Sequence, residues 1–154
     1  MEQKIKEISW DKNQINELLA ILQTGENIKI TVVVEKEETL YEEEKIIVQC
    51  MNRLGISSHL RGYTYLKYGI LRCMNYPEEL ESVTKVLYPN IAKKYQTTSP
   101  KVEHGIRHAI ANAWERNRGD EWGHIFGAAF IEKKIKPTNS CFLATIADYI
   151  RINN

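Results

Sequence analysis

IAKKYQTTSPKVEHGIRHAI, residues 91 to 110, reads as two helices joined by a tight turn. In a helix-turn-helix the two helices cross steeply, so the first needs a small residue at the crossing and apolar residues beside it. Ala92, with Ile91 and Tyr95, meets that need. The second helix must then bury a residue ten positions after the alanine and another four later, where Val102 and Ile106 stand. Ser99 is the expected N-cap and Pro100 the first helical residue, because proline lacks only an N–H that would go unpaired there and brings a φ already suited to a helix.

If Val102, Ile106, Ala109 and Ala113 face a core, then Lys101, Glu103, His104, Arg107 and His108 fall on the outer side. These residue types match what the major groove of double-stranded DNA asks for. Arg107 can donate two hydrogen bonds to guanine O6 and N7, Glu103 can accept from cytosine N4, and the imidazoles can read an acceptor or hold a phosphate. Lys85, Lys93, Lys94, Arg116, Arg118, Lys133, Lys134 and Lys136 are candidate phosphate contacts, which set register and affinity without reading sequence.

The surroundings are helical too. Ile46, Ile47, Cys50, Met51 and Leu54 make one apolar face closed by Gly55, so a helix is expected from Tyr41 to Leu54. Others are expected over 62–75, 83–95 with a bend or split at Pro89, 100–116, 120–126 and 138–152. Six helices with short connections imply a mainly α fold. Ahead of them, residues 1 to 40 read as a small acidic helix-strand segment, with a helix from Trp10 to Leu22 and a strand from Ile28 to Val34, after which a glutamate-rich stretch, Glu35 to Glu44, reads as a linker running into the next helix. The domain boundary falls near residue 40, with the helical domain at 41–154.

Charge divides the chain in the same way. Residues 1 to 45 hold six Lys against eleven Asp or Glu, a net of −5, whereas residues 46 to 154 hold fifteen Lys or Arg against nine Asp or Glu, a net of +6. Positive charge confined to one part of a chain suits nucleic-acid binding. Hydrophobic residues at 43% and charged residues at 27% are ordinary for a globular protein, which sets aside disordered and fibrous classes. No apolar run approaches the roughly 18 residues of a membrane span, and the first ten residues lack a signal peptide's apolar stretch, so the expected location is the cytoplasm. Cys50, Cys73 and Cys141 are odd in number and far apart, which fits small buried residues better than disulfides or a zinc knot.

The strings HLRGYTYL (59 to 66), TKVLYPNIAKKYQTT (84 to 98), KVEHGIRHAI with Ala113-Trp114 (101 to 114), and KPTNS (136 to 140) followed by Ala147-Asp148 carry a resemblance. Residues 46 to 151 resemble the DNA-binding effector domain of the stage-zero master regulator of sporulation in spore-forming Firmicutes, the carboxy-terminal half of a response regulator. The resemblance implies a six-helix DNA-binding domain whose fourth helix enters the major groove, bound as a head-to-tail pair on tandem elements. It implies base-reading and nearby backbone contacts at Ser99, Lys101, Glu103, His104, Arg107 and His108. Where Lys101 and His104 stand the family carries arginine, whose planar fork neither reproduces, so a related but altered target element is expected. The fifth helix and the residues after it contact the sigma subunit of RNA polymerase in the family, and the segment from Asn117 to Phe130 departs from it more than its surroundings do. A phosphoreceiver, a domain of about 120 residues with an acidic cluster, is not expected, since the first 45 residues hold a single aspartate, Asp11.

Two other classes compete with this reading. One is an interaction module that pairs with a full-length regulator through its last helix and has no specific DNA binding of its own. The other is a metal protein or enzyme built on His104 and His108, four apart beside Glu103, but no third ligand stands at a telling distance. A glycine-rich phosphate loop, a G-x-S-x-G elbow and a paired carboxylate set are missing from the sequence, so neither catalysis nor a cofactor is expected. The acidic head could pair with a copy of itself, pack on the helical domain, lie over the basic face, or be a remnant that does little.

Overall fold

The computed structural model describes residues 15, 22–23, 35–116 and 119–153. The chain divides into two compact units, Met1–Glu37 and Glu38–Asn154. Of the first, Ile15 and Leu22 are helical and exposed and Gln23 lies in a turn. The helix expected from Trp10 to Leu22 otherwise lies outside the described residues, as does the strand from Ile28 to Val34.

Among the described residues there is no strand, and seven α-helices follow one another: α1 (Glu35–Arg53), α2 (Arg61–Asn75), α3 (Tyr88–Lys94), α4 (Ser99–Arg116), α5 (Asp120–Phe126), α6 (Ala128–Glu132) and α7 (Asn139–Asn153). The glutamate-rich stretch that reads as a linker is therefore helix. Glutamate is a good helix former, and its negative charge suits a helix N-terminus, so composition that looks solvated is equally composition that starts α1. Ile47, Cys50 and Met51 form the buried side of α1, continued by buried Leu54 just past its end, as expected from their spacing.

Between α2 and α3 the chain runs through a 3-10 helix (Pro77–Ser82) and one π-helical turn (Val83–Leu87). Pro89 sits in the first turn of α3, where its missing N–H costs nothing, and this is the split expected over 83–95. The buried carboxylate of Glu79 fixes this region. Arg72 Nε donates to its Oε2 at 2.8 Å, Arg72 Nη2 donates to Oε1, and Asn90 Nδ2 donates to Oε1 at 2.9 Å. Because the carboxylate is paired and hydrogen-bonded on both oxygens, its burial is compensated, and it ties α2 to α3.

The core is one cluster drawn from every helix of the second unit except α6. Trp122 is its largest fully buried side chain, edge-on to Trp114 at 5.1 Å and stacked on Phe126 at 5.3 Å. Its indole N–H donates to the Leu54 carbonyl at 3.1 Å, so the end of α1 holds α5 in place. No helix among the described residues is long and apolar enough to cross a membrane.

Candidate nucleic-acid interface

α3 ends and α4 begins within four residues. Gln96 has φ of 50°, and the N–H groups of Gln96 and Thr97 donate back to the carbonyls of Lys93 and Ala92 at 3.4 and 2.9 Å. This is a Schellman closure with Gln96 in the left-handed position usually given to glycine. Val102 N–H donates to the Thr98 carbonyl at 3.0 Å, so Thr98 rather than Ser99 stands at the cap position and Pro100 is second in the helix. The proline remains in the first turn, where no intrahelical N–H is required.

The crossing then follows the expected pattern. Ala92, Val102 and Ile106 are buried, together with Ala109 and Ala113. A second crossing sets α4 against α2. A Cβ built on Gly62 would lie 2.0 Å from the Gly105 carbonyl oxygen, so backbone meets backbone there, and Gly105 in turn faces the Tyr65 ring.

Packing of the inner face leaves Lys101, His104, Arg107 and His108 exposed, with Ser99 and Glu103 half-buried. These outer residues part into two rows. Lys101, His104 and His108 line a groove of about 410 Å³ shared with Leu60, Arg61 and Gly62 at the start of α2. Glu103 and Arg107 line another, of about 360 Å³, shared with Tyr88 of α3 and with Lys136, Thr138 and Asn139 at the start of α7. Within the second row Arg107 Nη2 donates to Glu103 Oε1 across one helical turn.

The candidate phosphate contacts are less tightly gathered. Lys136 joins Arg107 in the second groove. Lys93 and Lys94 are exposed in the last turn of α3, where the Lys94 ammonium lies 5.4 Å from the centre of the Tyr68 ring, a cation–π contact that holds it to the body of the domain. Lys85 is exposed on the π-helical turn, Arg116 at the far end of α4, and Lys133 and Lys134 just after α6; none of these lines either groove. Arg118 lies outside the described residues.

Arg61 does not stand out in the sequence, yet it is exposed in the same groove as Lys101, His104 and His108. Only its place in HLRGYTYL hints at it, because contact between residues 62 and 105 is what brings the two segments together. His59 and His124 are exposed, and His124 lies edge-on to Tyr149 at 6.1 Å. Among the described residues no three His, Cys, Asp or Glu side chains are grouped to hold a metal.

A helix-turn-helix with a buried small-residue crossing and a basic, polar outer face defines the DNA-binding domains of transcription regulators. A family model described as "Sporulation initiation factor Spo0A C terminal" matches residues 47–150, from the middle of α1 almost to the end of α7. The chain belongs to this family. It is a family of DNA-binding sporulation regulator domains and not of enzymes.

Proposed function

We propose that the chain is a sequence-specific transcription regulator that lays α4 in the major groove of double-stranded DNA. The observation that carries this reading is the division of α4 into a buried face of Val102, Ile106, Ala109 and Ala113 and an outer face where Lys101, His104, Arg107 and His108 are exposed. Arg107 supplies the fork for guanine, Glu103 accepts from cytosine, and His104 and His108 read or steady neighbouring positions. Ser99 and Lys101 reach the adjoining backbone.

Phosphates flank these readers, with Lys136 on one side and Arg61 on the other. Lys85, Lys93, Lys94, Arg116, Arg118, Lys133 and Lys134 act farther along the strands, raising affinity for any sequence. Lysine at 101 and histidine at 104 make the preferred element a relative of the family's rather than a copy of it. In keeping with the family, two copies bind in tandem, and α5 with the residues after it is the candidate surface for the sigma subunit.

Selection of bound sequences from random duplex DNA tests the reading. Enrichment of one short element in the presence of competitor DNA is the expected result. Recovery of no preferred element would overturn it in favour of a module that pairs with a full-length regulator.

A further inference from the structure

Asn139, the first residue of α7, reaches both helices of the helix-turn-helix through one amide. Its Nδ2 lies 3.0 Å from the Tyr88 hydroxyl on α3 and 3.0 Å from the Glu103 carbonyl oxygen on α4. A peptide carbonyl only accepts, so the NH2 side of the amide is the side that faces Glu103. In an α-helix that same carbonyl also takes the N–H of Arg107, four residues on. The amide of Asn139 therefore occupies the second lone pair of the turn whose side chains, Glu103 and Arg107, pair on the outer face.

Tyr88 is 4% exposed, and burial pushes its phenol up against the opposing pull of the Asn139 amide. Its hydroxyl stays neutral and accepts from Asn139. Apolar packing at Val102 and Ile106 holds α4 down but is non-directional, whereas a hydrogen bond at 3.0 Å weakens steeply with angle.

We propose that Asn139 is a positioning residue for sequence recognition: it fixes the rotational setting of the Glu103–Arg107 turn against α3 and α7, and acts on discrimination between DNA sequences through Arg107. It need not touch DNA itself. The proposal rests on the reading of Arg107 as a base contact.

The test measures binding of the full chain to its selected element and to a scrambled duplex, with thermal melting of each variant. Asn139→Ala is expected to lower the preference for the selected element by about tenfold while leaving affinity for the scrambled duplex nearly unchanged. Asn139→Asp guards against a folding defect. A carboxylate is favoured at a helix N-terminus and can accept from the Tyr88 hydroxyl where the amide donated to it, but it cannot donate to Glu103. Its gain at the helix N-terminus offsets part of the lost hydrogen bond, so this variant is expected to keep a cooperative melt close to the parent's and yet to lose the preference.

In an Arg107→Ala background, neither substitution should lower the preference further, because residues that act as a unit are not additive. The proposal is overturned by an undiminished preference in Asn139→Asp, by equal losses on both duplexes in Asn139→Ala, or by losses that add to that of Arg107→Ala. A full preference in Arg107→Ala alone would overturn the base-reading assignment as well.

Discussion

On the outer face of α4 the paired side chains of Arg107 and Glu103 are 61% and 39% exposed. An i,i+4 pair in such a setting contributes about 0.3–0.5 kcal/mol, so Arg107 can leave Glu103 for a base edge at small cost. Arg107→Ala is therefore expected to weaken binding to the selected element by about 1–3 kcal/mol, while the melting temperature hardly moves. A shift assay beside a thermal melt checks both halves; undiminished binding would remove α4 from the interface. Gln96 makes the opposite kind of prediction. At φ of 50° its Cβ crowds the backbone, a strain glycine does not feel. Gln96→Gly should stabilise the fold by about 0.5–1 kcal/mol, seen as a higher urea midpoint at unchanged slope. A lower midpoint would mean that the glutamine side chain makes contacts worth more than the strain.

Helices meet where side chains let them. At the α2–α4 crossing a Cβ on Gly62 would lie 2.0 Å from the Gly105 carbonyl oxygen and 2.8 Å from the Ala109 Cβ. Nothing there is a flexible side-chain end. Gly62→Ala must push the helices apart, and is expected to cost about 2–3 kcal/mol and to weaken DNA binding with it. A Cβ on Gly105 meets the Tyr65 ring at 3.1 Å and the Gly62 Cα at an ordinary 3.6 Å, so Gly105→Ala should cost less; denaturant unfolding of the two variants gives the order, and the reverse order would contradict the crossing. The buried faces of α1 and α4 were legible in the sequence because each repeats apolar residues at helical spacing over several turns, and α2 and α7 were legible as helical spans. So was the closure at Gly55, whose φ of 76° is one that glycine advertises. The equivalent closures at Gln96 and Lys134 were not legible, since a non-glycine residue in that conformation leaves no compositional trace. α6, five residues long, is too short to show a period, as is the 3-10 segment, whereas the π turn was legible only as part of one helical stretch over 83–95. The outer row of α4 was readable for the same reason as its inner one. Arg61 was not, because its place beside His104 depends on a contact between segments more than forty residues apart.

For the molecule as a whole, burial decides which groups can react and charge decides how it meets DNA. Burial pushes the thiol of Cys50 up to about 11 and that of Cys73 up to about 12, so both are almost wholly protonated at pH 8. Alkylation at that pH should label half-buried Cys141 first, with Cys50 and Cys73 reacting only as fast as the domain opens. Early labelling of Cys50 or Cys73, read by peptide mass, would contradict the packing of α1 and α2. Arg61→Ala should weaken binding to every duplex alike and reduce the salt dependence by about one released ion, leaving the preferred sequence unaltered. A change in preference would instead make Arg61 a base contact. The backbone contact between Gly62 and Gly105 bears on the other partner as well. It has no rotamers through which to relax, so α4 keeps its angle to α2, and in the proposed complex the fitting of a poorly matched groove falls largely to the duplex. On the proposed reading its base steps roll or twist to fit, and the elastic stiffness of the DNA enters the selection beside its hydrogen-bonding edges, at positions that α4 never touches.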